Sequence, residues 1–296
     1  METRFLESLL SVARDGSIGA AERSQGLTPA AVGQRVQSLE QELVVTLLER
    51  VGHRSRPTEA CLRLLPHTRE LVNLDKRLSE KIEIDGMAGS MRVGVISTLF
   101  QDLIPQVLRD VNLHLPALSL NFVPGTSKDL YAAFCGDDID ASLMVEPPFE
   151  LPKAATIDTL LAEPLVLLAP PGITVSVDQT LHDHRLLRYD SKSWGGMIAE
   201  RYLRERQIRT DPLVELDSLE TIAILVRGGL GVSLVPHWRG LDRFQADISI
   251  SDSLPAEYCR KLCLIFPTKY LNDPLWSRFR RIFTTCSADI APRPAN

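Results

Sequence analysis

The chain has 296 residues, of which 44% are hydrophobic and 24% charged, the balance of a folded globular protein and not of a long disordered one. The length suits about two domains, and the net charge of 33 − 38 = −5 means that any nucleic-acid contact must rest on local clusters of base. No run approaches the apolar length of a membrane span, and Glu2, Arg4 and Glu7 stand where a secretory leader has a basic segment and apolar core. A cytoplasmic protein with no membrane partner is expected.

Phe5, Leu6, Leu9, Leu10 and Ala13 predict a first amphipathic helix, ended by Asp15-Gly16, with Ser17 capping a second. Gly26 marks a tight turn. Thr28 stands as the N-cap of a third helix and Pro29 as its first residue, where a missing N–H costs nothing. Val32, Val36, Leu39 and Leu43 share one face and point to a core. The opposite face carries Gln34, Arg35, Gln37 and Ser38 beside the small residues Ala30, Ala31 and Gly33. Small residues let a helix approach a groove, and Gln and Arg offer donors to base edges or phosphates. The same pattern also suits a plain helical hairpin with a wet polar face. The segment from Leu47 to Thr58 has turn residues with Arg50, Arg54 and Arg56, and predicts a short basic wing resting on phosphates. Three helices and a wing make a winged helix-turn-helix over 1–58, with Ser17, Thr28, Pro29, Ala30, Gly33, Gln34, Arg35, Gln37, Ser38, Arg50, Arg54 and Arg56 as candidate DNA contacts.

Residues 59–85 predict a long charged helix with one apolar stripe, Leu71, Leu74, Leu78 and Ile82. Such a stripe must be buried, and a second copy of itself is the simplest partner; packing on the chain's own body is the other solution. Pro66 is expected to kink the helix early. Asp85 to Ser90 reads as the end of that helix and a hinge at 86–90.

From Met91 strands and helices alternate. Met91–Ile96 is a predicted strand, followed by Ser97-Thr98 and a helix from Leu99 to Val111. Leu118–Val123 and Ile139–Val145 are further strands, with a helix around Leu130 and Phe134 between them. Leu165–Ala169, Arg185–Tyr189, Val214–Leu216 and Val232–Val235 follow as strands, with helices over Gly196–Glu205 and Leu219–Val226, the latter capped by Ser218. Leu262–Pro267 is expected to return the chain to the first lobe, and Leu275–Phe283 to form a last helix before a disordered tail at 287–296. Strand, polar turn and helix in repetition predict a parallel sheet covered by helices.

Open parallel sheets bind ligands beyond the carboxyl ends of their strands, where helix N-termini favour anions. Ser97, Thr98, Thr126 and Ser127 occupy such turns, and Tyr189, Trp194 and His237 lie at equivalent strand ends. Hydroxyls at such turns also serve as plain N-caps, and Arg188 suits either a ligand carboxylate or the surface. Cys61, Cys135, Cys259, Cys263 and Cys286 form an odd, scattered set that suggests free thiols. No nucleophile elbow, phosphate loop or zinc-protease motif occurs, and His182-Asp183-His184 lacks further ligands nearby. No catalytic residue, cofactor or metal is implied.

The run from Phe5 to Leu71 resembles the DNA-binding end of LysR-type transcriptional regulators, through Gly16-Ser17-Ile18, Ala20-Ala21, Leu27 to Val32, Gln34-Arg35-Val36, Ser38-Leu39-Glu40, Leu48-Glu49-Arg50 and Thr58-Glu59-Ala60. It departs from that family at Gln25, Gly33 and Val44, where Leu, Ser and Gly are usual. The remainder resembles the family's regulatory domain, of periplasmic-binding-protein type, through Arg92-Val93-Gly94, Leu103-Ile104-Pro105, Gly125-Thr126-Ser127, Asp138 to Leu143, Asp217 to Thr221 and Gly228 to Pro236. The resemblance implies an α/β effector domain at 91–286, with one lobe at 91–165 and 266–286 and the other at 166–265. It also implies a dimerising linker helix, a dimer or tetramer, double-stranded promoter DNA as partner, and a small anionic organic effector between the lobes. A thiol-based redox regulator of the same family is one alternative. A solute-binding or enzymatic α/β protein with an unrelated helical extension is the other.

Overall fold

The computed structural model describes residues 1–51, 54–80, 88–173 and 176–290. They fall into two compact units, Met1–Gly89 with Gly136–Asp138, and Ser90–Cys135 with Ile139–Asn296.

The first unit begins with α1 (Thr3–Asp15), α2 (Ile18–Gln25) and α3 (Pro29–Leu43). Gly16 closes α1 at φ 71° and Gly26 turns the chain into α3 at φ 64°, a backbone that costs a glycine little. Thr28 caps α3, its hydroxyl accepting from the Ala31 N–H, and Ser17 does the same for Ala20. The hairpin of β1 (Leu48–Val51) and β2 (Arg54–Pro57) is antiparallel. Glu40 fixes its start, one carboxylate oxygen accepting from the N–H groups of Leu47 and Leu48. Thr58 then caps α4 (Glu59–Glu80) through Cys61 N–H. The core joins Leu6, Leu9 and Val12 of α1, Val32, Val36 and Leu39 of α3, Leu47, and Cys61, Leu65 and Val72 of α4. Leu43, expected on that buried face, is exposed at the helix end. Pro66 lies inside α4, which continues on both sides of it.

The second unit contains β3 (Gly89–Val95), α5 (Ile104–His114), β4 (Leu118–Pro124), α6 (Ser127–Cys135), β5 (Ala141–Val145) and β6 (Ala155–Ala169). It continues with α7 (Val177–Asp183), β7 (Leu186–Tyr189), α8 (Gly196–Glu205), β8 (Pro212–Leu216), α9 (Leu219–Arg227), β9 (Ser233–Pro236), β10 (Ser249–Ser251), β11 (Cys259–Pro267) and α10 (Pro274–Ile290). The sheet is not wholly parallel as expected. β3 and β5 are parallel, as are β7 and β8, but β11 runs antiparallel to both β5 and β6, and β9 and β10 run antiparallel to β6. The physical reason lies in β6 and β11, which carry the chain between the lobes in opposite directions. The first half of β6 pairs with β11 and its second half with β9 and β10, so one strand serves both lobes.

Several boundaries differ from expectation, among them the start of β6, at Ala155 and not Leu165. The helix expected from Leu99 begins only at Ile104, after a 3₁₀ turn at Ser97–Leu99, because Pro105 fits the first turn of a helix and not its interior. Gly89 and Ser90 open β3 instead of belonging to the hinge, whose residues 86–87 lie outside the described residues. The tail is helical through Ile290, since Cys286, Ser287 and Ile290 are buried; residues 291–296 lie outside the description.

Candidate DNA-reading helix and effector cavity

The exposed face of α3 carries Thr28, Pro29, Ala30, Gln34 and Gln37, with Gly33, Arg35 and Ser38 half-buried at its margins. Gly33 is not demanded by packing, since a Cβ there meets only Ile18 Cδ1 at 3.9 Å. Ser38 turns its hydroxyl back to the Gln34 carbonyl. Arg35 departs from the expectation that it projects freely: its Nη1 donates to Ser8 Oγ on α1 at 3.3 Å. Gln25 belongs to the same cluster, its Oε1 accepting from Ser8 and its Nε2 donating to Ser11, each at 2.9 Å. That pairing explains the departure at Gln25, because an amide at this buried edge is matched by two serines of α1. Ser17, half-buried, is engaged as a cap. Arg56 is exposed on β2 with Glu49 as its cross-strand neighbour; the side chains of Arg50 and Arg54 lie outside the description.

On α4, Leu71 and Leu74 are 44% and 53% exposed, opposite to expectation for a stripe packed on its own body. Thr68 and Val72 take that inward role. The Leu78 side chain and Ile82 lie outside the described residues.

In the second unit, Ser97, Thr98, Thr126, Ser127, Tyr189 and Trp194 line one cavity of about 110 Å³ between the lobes. Ser97 and Thr98 follow β3, Thr126 and Ser127 open α6, Tyr189 ends β7 and Trp194 lies in the turn after it. Thr126 is a helix cap as well: its hydroxyl donates to Asp129 Oδ2 at 2.7 Å and accepts from the Asp129 N–H. Ser127 Oγ accepts from the Val145 N–H and is buried. Gly195 makes room for Tyr189, whose hydroxyl would lie 2.5 Å from a Cβ there. Trp194 closes the cavity, packed edge-on against Tyr131 and Phe149.

His237 is not in this cavity. Pairing of β9 with β6 draws it aside, where its N–H donates to the Pro164 carbonyl and Nε2 lies 3.5 Å from Asp242. Arg188 is turned to Glu200 at 3.1 Å. Residues absent from the sequence expectation complete the walls: Arg260, Asp190, Asp217 and Lys128, while Lys192 comes from the loop at 191–196, which the sequence does point to. Arg260 is buried and donates to Glu163 Oε2 at 2.6 Å, while its Nη2 lies 3.5 Å from Thr98 Oγ1. The available signal was a charged residue, Arg260, next to the start of a strand whose later residues are apolar. Burial pushes the Tyr189 phenol up, and burial followed by the proximity of Asp190 raises the Asp217 carboxyl.

Four of the five thiols, Cys61, Cys259, Cys263 and Cys286, are poorly suited to sensing. Burial pushes Cys61 and Cys286 up to about 11, Cys263 to about 12, and raises Cys259, whereas a reactive cysteine needs its thiolate. Among the described residues no group of three or more His, Cys, Asp or Glu is placed to hold a metal ion.

Residues 85–286 match the LysR substrate binding domain, and residues 3–62 match the bacterial regulatory helix-turn-helix protein family of lysR type. The chain belongs to the LysR family. A relative is the HTH-type transcriptional regulator CfxR of Cupriavidus necator, 30% identical over 84% of this chain and 80% of that protein. Among solved structures, a full-length cysteine-to-aspartate variant of OxyR from Pseudomonas aeruginosa aligns with TM-score 0.68 at 20% identity, covering 99% of each chain. Full-length CbnR in complex with its target DNA aligns with TM-score 0.63 at 19% identity, over 97% of this chain and 100% of that one. This LysR-type protein is therefore a transcriptional regulator with a DNA-binding and an effector-binding domain. The helical extension is the family's own reader, which removes the reading as a solute-binding protein or enzyme with an unrelated extension. The thiol-based alternative is not favoured. Among the described residues no helix is long and apolar enough to cross a membrane.

Proposed function

We propose that this regulator reads promoter DNA through the exposed face of α3, with Gln34 and Gln37 at the bases and Arg56 at the phosphates. The linker helix joins two copies through Leu71 and Leu74, and a small organic anion in the cavity of Ser97, Thr98 and Thr126 biases the dimer toward one DNA-bound arrangement. Such a bias requires the ligand to prefer one conformation. The protein acts in the cytoplasm and catalyses no reaction.

The observation that carries the effector reading is the meeting of six residues from three separate strand ends with a buried guanidinium, Arg260, in one inter-lobe cavity. The hydroxyls and the start of α6 favour negative charge there. Selection of bound duplexes from a random pool tests the DNA reading: two related half-sites are expected, and no enrichment would refute it. Thermal shift of the full chain with small mono- and dicarboxylates tests the effector. Ser97→Ala removes an exposed hydroxyl without touching a helix cap, and should weaken the stabilisation that a bound acid confers by mass action.

A further inference from the structure

Trp194 separates the effector cavity from another cleft on its far side, of about 630 Å³ and formed by α8 and the turn after β5. That volume falls in the roughly 300–1,000 Å³ range of small-molecule sites. Its apolar walls are Pro147, Pro148, Trp194, Met197 and Ile198. Met197, Arg201 and Arg204 all line the cleft, four and three residues apart on α8, so they form one stripe of the helix.

The charges of this cleft do not cancel. Glu146 lies 3.8 Å from Lys261, and Glu200 is bound to Arg188, so each acid already has a cation. Among the described residues the hydrogen-bond and ring partners of Arg201 are neutral: its Nη2 donates to the Glu257 carbonyl and its guanidinium lies over the Tyr258 ring at 4.9 Å. Its Nε is buried with no hydrogen-bond partner among the described residues. A buried donor left unpaired costs its full desolvation. Arg204, exposed at the mouth, is in no ion pair among the described residues.

We propose that this cleft is a second ligand site, separate from the effector cavity, and that it takes an apolar carboxylate. The carboxylate pairs with the guanidiniums of Arg201 and Arg204, which line the cleft, and the hydrocarbon body lies along Met197, Ile198 and the Pro147-Pro148 turn. A neutral apolar molecule leaves both guanidiniums uncompensated, and an amine meets them as like charges. Trp194 and Val145 wall both cavities, so occupancy of one is felt by the other, and the coupling is reciprocal.

Octanoate is a suitable probe, titrated calorimetrically into the full chain. One saturable site is expected, weakened about tenfold by Arg204→Gln, an exposed position whose change leaves the fold intact, and more by Arg201→Gln. Octylamine should not bind, and Ser97→Ala should bind octanoate as the parent does. Absence of saturable binding, or unchanged affinity in both arginine variants, would overturn the proposal. So would loss of octanoate binding in Ser97→Ala, which assigns the probe to the first cavity.

Discussion

Arg260 and Glu163 are cross-strand neighbours on β11 and β6, the two strands that join the lobes, and form an ion pair with side chains 2% and 4% exposed. Burial raises the Glu163 carboxyl, and the charge and hydrogen bond of Arg260 pull it back down. Arg260 also lines the cavity of Ser97, Thr98 and Thr126, so the pair ties that cavity to β6 and β11.

Removing one partner leaves a buried charge uncompensated. Arg260→Met is expected to destabilise the effector domain by about 3–5 kcal/mol, and Arg260→Met with Glu163→Met by much less. The sign with pH follows from the direction of the shift. With Arg260 gone the folded carboxyl rises further above its unfolded value, so the variant regains stability as pH falls through that raised value and loses it as pH rises. Denaturant melts across the acidic range check this; equal losses in the single and double variants would refute the pairing.

Gln34 and Arg35 now separate. Gln34→Ala should relax base preference at a cost of about 1–3 kcal/mol in specific binding and leave the melting temperature unchanged. Arg35→Ala should lower stability too, because it strips a donor from Ser8 Oγ. Arg56→Ala should weaken binding to every sequence and reduce the salt slope by about 1. Anisotropy titrations at several salt concentrations distinguish the three.

Leu71 and Leu74 are exposed in the single chain. Lysine at both should therefore leave its helix content unchanged while burying charge in the seam between copies. Sedimentation is expected to give dimers or larger assemblies for the parent and monomers for the variant; assembly unchanged by the substitutions would exclude the stripe.

Val44 ends α3 at φ 53°, 90% exposed. A β-branched residue is strained in that left-handed region, where glycine is at ease. Val44→Gly should raise stability by about 1 kcal/mol, read as a higher melting temperature of the DNA-binding unit. No gain would mean that the unfolded-state entropy of glycine offsets the relief.

Local signals determined much of this protein from sequence alone. Thr28 before Pro29, the turn at Gly26, the stripe of Val32, Val36 and Leu39, and Ser218 before Leu219 each act within a few residues, so spacing reveals them. The six cavity residues were legible for a related reason: turns at strand ends are local features, and parallel strands gather those ends at one edge. Only the tertiary structure decided the rest. The role of Arg260 depends on Glu163, 97 residues earlier in the chain and opposite it in the sheet. Arg35 turns inward because Ser8 lies across from it on another helix, and His237 leaves the cavity because β9 pairs with β6. Each of these outcomes rests on a partner distant in sequence, and neither periodicity nor capping carries information about which distant groups will meet.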